Sequence, residues 1–194
     1  MARRARAKRA QIWVGLKSAD PEAVSALGVA RAHLPAGRTL QGLRRFRVFE
    51  VTGALPERDE LERLLHRSTQ FYNPHKEWCA VREAAGDPTP LERGERAVLV
   101  VDREGERRPA AERWWRHETG ETVTVREGIA WLVRFEGAAD PETLTDLAIV
   151  RGRRHGLLCN PNSQEFQVPG TRIPVAWIPA GDERTKTRGP TSAR

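Results

Sequence analysis

The side chains best equipped for chemistry in this chain are two cysteines, five histidines and one dense run of arginines. A nucleophilic cysteine needs a base within reach and a lowered pKa. Cys79 falls in an apolar, strand-like run and Cys159 follows Leu158, so both read as small buried fillers. His33, His66, His75, His117 and His155 contain no His-x-x-x-His pair, and there is no Cys-x-x-Cys, so no metal-ligating pattern arises. His75, beside Pro74, reads as a loop histidine facing solvent or a partner. Arg58, Asp59, Glu60 and Glu62 are neighbouring surface charges of a helix rather than a paired-carboxylate site. No glycine-rich phosphate loop is present. Arg151, Arg153 and Arg154 surround Gly152 within the expected last helix, as a solvated face or a contact for a phosphate or acidic partner. The expectation is a chain with no catalytic residue, cofactor or metal of its own.

These residues hang on a regular series of elements. Ile12 to Lys17 alternates as a half-buried strand. Asp20-Pro21 opens a helix, because Asp accepts bonds from free amides and Pro suits the first turn; Val24, Leu27, Val29, Ala30 and Leu34 give it an apolar face. Leu43 to Thr52 is strand-like, as two strands or one bent strand, and Gly53 stops it. A second helix from Pro56 carries Leu61, Leu64 and Leu65 and ends at Asn73-Pro74, since a residue before Pro avoids helical geometry. Glu77 to Arg82 closes the unit, and Ala84 to Glu95, rich in Gly and Pro, reads as a linker. The series then repeats: a strand at Ala97 to Val101, a Trp114-Trp115 helix over Arg108 to Glu118, a long strand region at Thr122 to Phe135 broken at Gly128, an Asp140-Pro141 helix start, an Asn160-Pro161 stop, and a strand at Glu165 to Val168. Residues 173–178 are expected to add an edge strand. Trp114 and Trp115 suit core or inter-repeat packing, or an interface anchor.

The repetition is also literal. Val48 to Ala54 (Val-Phe-Glu-Val-Thr-Gly-Ala) resembles Leu132 to Ala138 (Leu-Val-Arg-Phe-Glu-Gly-Ala). The two glycines stand 84 positions apart (137 − 53), and the Asn-Pro pairs 87 apart (161 − 74). One supersecondary unit is therefore used twice. Each copy reads β-α-β-β-α-β, so the expected class is α+β: two tandem ferredoxin-like units with antiparallel sheets, forming a pseudo-dimer. Units of this kind leave one sheet face bare, and the two copies are expected to cover each other, back to back or edge to edge.

The net charge of +7 sits in the tails. Residues 1–10 carry five basic side chains, a net +5; residues 182–194 carry four basic and two acidic ones, a net +2; so 11–181 is neutral. A nucleic-acid-binding fold generally shows its positive charge on a folded face, so RNA is a partner only through a basic arm at residues 1–10. The mean hydropathy of −0.61 and the lack of a long apolar run argue against a membrane role. Two cysteines suit a reducing cytoplasm. The expected map is a disordered tail at 1–10, repeats at 11–83 and 96–180, a linker at 84–95, and a disordered tail at 181–194.

Over about residues 11–168 the chain resembles the PurS subunit family of phosphoribosylformylglycinamidine synthase. The likeness lies in Leu16-Lys17 followed by Asp20-Pro21, and in Gly156-Leu157-Leu158-Cys159-Asn160-Pro161 followed by Gln164-Glu165-Phe166. The first copy closes more loosely, as Phe71-Tyr72-Asn73-Pro74 before Lys76-Glu77-Trp78. Glu50 to Ala54 and Glu136 to Ala138 resemble PurS-like segments at the front of some large synthase chains. Asp20-Pro21-Glu22-Ala23 lacks the family's usual glycine in that turn, and typical members are single copies, so this chain looks like a fused dimer. The resemblance implies a non-catalytic bridge between the ATP-dependent synthetase subunit and the glutaminase that supplies ammonia for the amide of formylglycinamide ribonucleotide. The expected partner interface is Asn73, Pro74, Asn160 and Pro161 at the helix–strand corners, with Arg153 and Arg154 on the last helix; further homodimerisation also fits. Two other readings stay open: a regulatory module binding a small ligand in the seam between halves, and an RNA-associated protein using the basic arm.

Overall fold

The longest strands in the chain follow the first helix of each half, and they organise everything else. A computed structural model describes residues 8–103, 106–137, 140–152, 154–169 and 172–179. The elements are β1 (Lys8–Leu16), α1 (Pro21–His33), β2 (Leu40–Gly53), α2 (Arg58–Arg67), β3 (Glu77–Arg82), β4 (Glu95–Asp102), α3 (Pro109–Thr119), β5 (Val123–Phe135), α4 (Pro141–Ala148) and β6 (Gln164–Gln167). A 3₁₀ turn, Pro35–Thr39, joins α1 to β2. Among the described residues no helix is long and apolar enough to cross a membrane.

Local chemistry explains several boundaries. The Asp20 carboxylate accepts from the Glu22 and Ala23 amides at 2.8 and 3.2 Å, and Pro21 opens α1. Asp140 caps α4 in the same way, accepting from the Thr143 amide at 2.6 Å. α2 ends at Arg67, earlier than the Asn-Pro signal suggests. β1 begins at Lys8, so three residues of the expected basic tail are strand; residues 1–7 and 180–194 lie outside the described residues.

The fold is α+β: the described residues form four helices and one six-stranded antiparallel sheet in the order β3-β1-β2-β5-β4-β6. Each half reads β-α-β-α-β: a single 14-residue strand, β2, stands where two strands or a bent one were expected, and β5 runs through Gly128 without the expected break, because Gly128 stays paired to Val48. The strand order is a palindrome under exchange of the halves. With the 84-residue offset, Val14 paired to Arg47 becomes Val98 paired to Trp131, and both pairs occur. Phe46 corresponds to Ala130 and pairs with it, so the pseudo-twofold axis passes between those two residues. The edge strands depart from the symmetry. Glu77 pairs with Leu16; the 84-residue offset takes Leu16 to Val100 and the 87-residue corner spacing takes Glu77 to Gln164, but Gln164 pairs with Asp102, two residues beyond Val100.

Strand alternation sends side chains to two faces, and all four helices cover one of them. There α2 and α3 share a cluster built on Ile12, Phe49, Phe71 and Trp115, while α1 and α4 share another built on Leu34, Val133 and Leu147. Each cluster draws one helix from each half. Trp115 is fully buried beside Phe71, with ring centroids 6.3 Å apart, so the tryptophan pair packs between repeats.

The second face carries Trp13, Phe46, Val48, Leu99 and Leu132, and it is covered by the segment that follows β6. Ile173, Trp177 and Ile178 are buried against it. Of the two arrangements expected, back to back or edge to edge, the halves take the second, and this face is left for other chain to cover; residues 173–178 cross it as irregular chain, which corrects the expectation of an added edge strand.

Phe49 is fully buried and meets the Phe71 ring edge-on at 5.3 Å. Phe49→Ala is expected to lower the unfolding free energy by about 3–5 kcal/mol. Val24 on α1 is 60% exposed, and Val24→Ala is expected to change it by less than about 0.5 kcal/mol. Chemical denaturation of both variants checks the assignment of core and surface.

Candidate functional site

Three polar side chains run in a row beneath the segment that covers the open face. Gln11 on β1 pairs in register with Arg82 on β3 and Glu50 on β2, so all three point the same way. They are 0, 1 and 2% exposed respectively. Groups so buried must be hydrogen-bonded to be tolerated. Arg82 Nη1 and Trp13 Nε1 donate to Gln11 Oε1 at 2.5 and 2.9 Å. Gln11 Nε2 donates to the Pro174 carbonyl at 3.0 Å, and Arg82 Nη2 to the Ile173 carbonyl at 3.1 Å. Glu50 Oε1 accepts from the Ile178 amide at 2.7 Å and from the Trp177 amide. The row thus holds 173–178 by its backbone, and Trp177 stacks on Trp13 at 5.9 Å. Burial pushes the Glu50 carboxyl above the usual glutamate range, opposed by those two amides and by Arg9. Burial likewise pulls the Arg82 guanidinium down, opposed by Asp87.

The row continues across the seam between halves. Glu50 pairs with Arg126 on β5, and the next row holds Arg9, Thr52 and Thr124. Beside them opens a cavity of about 400 Å³, lined by Arg9, Thr52, Thr124, Arg126 and Gln167 and walled by residues 176–179. Arg9 Nε donates to Thr52 Oγ1 at 3.2 Å. Arg126 Nε and Trp177 Nε1 are buried with no acceptor among the described residues. An unanswered buried donor costs about 1–3 kcal/mol.

The two Asn-Pro corners are built alike. Asn73 Oδ1 accepts from the His75 amide and Asn160 Oδ1 from the Asn162 amide, each at 3.0 Å. The Asn73 amide donates to Glu77 Oε2 at 2.6 Å, and the Asn160 amide to Gln164 Oε1 at 3.0 Å. Both asparagines are exposed, and Pro74 and Pro161 are half-buried. The corners lead into β3 and β6, the two sheet edges, so five strand spacings of about 4.8 Å separate those edges. The fold does not bring the corners together.

The arginine cluster is not helical. α4 stops at Ala148, and Arg151, Gly152 and Arg154 occupy an exposed loop; Arg153 and Ala138 lie outside the described residues. Arg151 faces Asp146 at 3.9 Å. The loop closes tightly at Gly156, whose φ is +75°; a Cβ there would stand 1.7 Å from the Ile149 carbonyl oxygen. Leu157 and Leu158 therefore lie past the helix, and Ile149 bridges Cys159 instead.

A larger open groove of about 1140 Å³ runs between α2 and β3 past Glu62, His66, Tyr72 and Cys79. His66 Nδ1 and the Tyr72 hydroxyl are 3.0 Å apart. Burial pushes the thiols of Cys79 and Cys159 up, and Tyr72 with them. A thiol so raised stays protonated at neutral pH and is a poor nucleophile.

Sequence reasoning passed over Gln11, Glu50, Arg82 and Arg126. The available signal was a polar residue inside an apolar strand: Gln11 between Ala10 and Ile12, and Glu50 between Phe49 and Val51.

Because Glu50 is raised in the folded chain, its protonated form favours folding. That contribution is fully present below the ordinary glutamate value of about 4.3 and is lost as pH rises through the raised value. Glu50→Gln keeps an acceptor for the two amides and removes the titration. The wild type's stability relative to this variant is expected to fall as pH rises from about 4.3, by at most about 1.4 kcal/mol per pH unit. Urea unfolding of both proteins across that range checks it; a constant difference would remove the charge from the account.

No protein-family model, curated protein or solved structure matches this chain.

Proposed function

We propose that this protein is a non-catalytic assembly subunit of a phosphoribosylformylglycinamidine synthase, a fused pair of PurS-like, ferredoxin-like units joining the synthetase and glutaminase subunits in the cytoplasm. In this reading the long β2 and β5 each do the work of two strands of the ferredoxin-like unit. The observation that carries the proposal is the pair of equivalently bonded Asn-Pro corners at opposite edges of one palindromic sheet. Two similar docking corners on one continuous sheet suit a chain that must hold two larger bodies at a set separation. The sequence likeness around Leu16-Lys17, Asp20-Pro21 and Gly156 to Phe166 gives the corners their partners. The work of such a bridge is positional, because ammonia released by one subunit must reach the activated substrate in the other before water does.

The test is reconstitution. The full chain, mixed with synthetase and glutaminase subunits from one organism at about 10 µM each, is expected to co-migrate with both and to confer glutamine-dependent turnover. Asn73→Ala with Asn160→Ala is expected to weaken assembly about tenfold, since each loses the side-chain oxygen that shapes its corner. Glutamine-dependent turnover of the two enzymes at the same rate without this chain, or no co-migration, overturns the reading.

A further inference from the structure

We propose that the cavity at the seam between halves binds a small molecule through a phosphate or carboxylate group. Among the residues that line it, three side chains only donate and none is a carboxylate. Guanidinium and indole groups donate only, and Arg9, Arg126 and Trp177 supply three of them; Thr52, Thr124 and Gln167 add groups able to donate. Two of these donors, Arg126 Nε and Trp177 Nε1, are buried without an acceptor, and Trp177 is only 3% exposed. Glu50, the cross-strand partner of Arg126, turns Oε1 to the Trp177 and Ile178 amides and makes no hydrogen bond with Arg126 Nε. An oxyanion answers this set, because its several lone pairs match a guanidinium fork and adjacent N–H and O–H donors.

The size of the cavity narrows the ligand. About 400 Å³ is within the range of small-molecule sites and leaves room beside a bare anion. The remaining space borders Trp177, Ile178 and Pro179, an apolar wall suited to a short organic body. The site takes Arg9 and Thr52 from the first half, Thr124, Arg126 and Gln167 from the second, and its wall from the covering segment. An occupant therefore ties both halves and that segment together. The inference is independent of the bridging proposal: a ligand-free bridge and a ligand-binding non-bridge are both coherent, and the two tests read different things.

Calorimetric titration of the full chain with inorganic phosphate, glycerol 3-phosphate and citrate tests it, alongside ¹⁵N spectra in which Trp177→Phe identifies the Trp177 indole resonance. Saturable binding is expected with Kd between about 10 µM and 1 mM, together with a shift of that resonance. A response to phosphate or glycerol 3-phosphate assigns a phosphate ligand, and a response to citrate alone assigns a carboxylate. Arg126→Gln is expected to raise Kd about tenfold or more. Trp177→Phe, which keeps an aromatic ring against Trp13 but removes the indole donor and part of the ring system, is expected to raise it about three- to tenfold and serves if Arg126→Gln does not fold. No saturable heat with any probe, binding that leaves the Trp177 resonance in place, or unchanged affinity in the folded variants overturns the proposal.

Discussion

The pairing of β2 with β5 along nearly their whole length is the constraint on which the rest of this molecule depends. It turns two three-stranded halves into one sheet, and its antiparallel register forces the palindrome of strand order. Each long strand serves two partners. Residues 47–53 of β2 bind β1 on one side while β5 runs along the other, and residues 129–134 of β5 do the same for β4. A slip of one residue would send Phe46, Val48, Ala130 and Leu132 to the helix face, so register is strongly held. The paired helices add to this: α2 packs with α3 and α1 with α4, so neither half completes its core alone.

Arginines near the axis reinforce the joint from both faces. Arg44 makes a two-pronged contact with Glu95 of the other half, at 2.9 and 2.6 Å. Arg47 donates to Glu127 at 2.9 Å and to the Phe71 carbonyl at 2.9 Å, and lies 4.9 Å from the Phe49 ring. Arg108 reaches the same Glu127 at 2.9 Å. Exposed pairs of this kind add little singly, but Arg44 meets a Glu95 side chain that is nearly buried, where losing one partner would strand a charge.

The open face is where the symmetry breaks, and the asymmetry builds the candidate site. Gln11 corresponds to Glu95 and Glu50 to Arg134 under the 84-residue offset, so the second half keeps a polar pair at these positions with different side chains, and Glu95 is bonded to Arg44 rather than to the covering segment. Among the described residues, the side chains bonded to the backbone of residues 173–178 stand on β1, β2 and β3 of the first half. The pseudo-symmetric frame thus carries, on one face, a cavity lined by both halves.

Local chemistry was legible in the residues themselves. The Asp-Pro caps, the Leu61-Leu64-Leu65 face, the Asn-Pro corners and the doubled strand–helix series follow from short-range rules of capping, periodicity and proline geometry, and those rules need only neighbours along the chain. The end of α4 was not legible, because Leu157 and Leu158 are apolar for the sake of a distant core rather than a helical face. Nor was the fate of Ile173, Trp177 and Ile178, whose apolar spacing suits a strand equally well. Gln11, Glu50, Arg82 and Arg126 stand far apart in the chain and become a row only when four strands align in register. Short-range rules alone show that one strand–helix series is used twice, but not that each half has three strands rather than four. Tertiary structure decided that the units join edge to edge and share helices, because cross-strand register and the covering of an apolar face depend on residues brought together from the whole length of the chain.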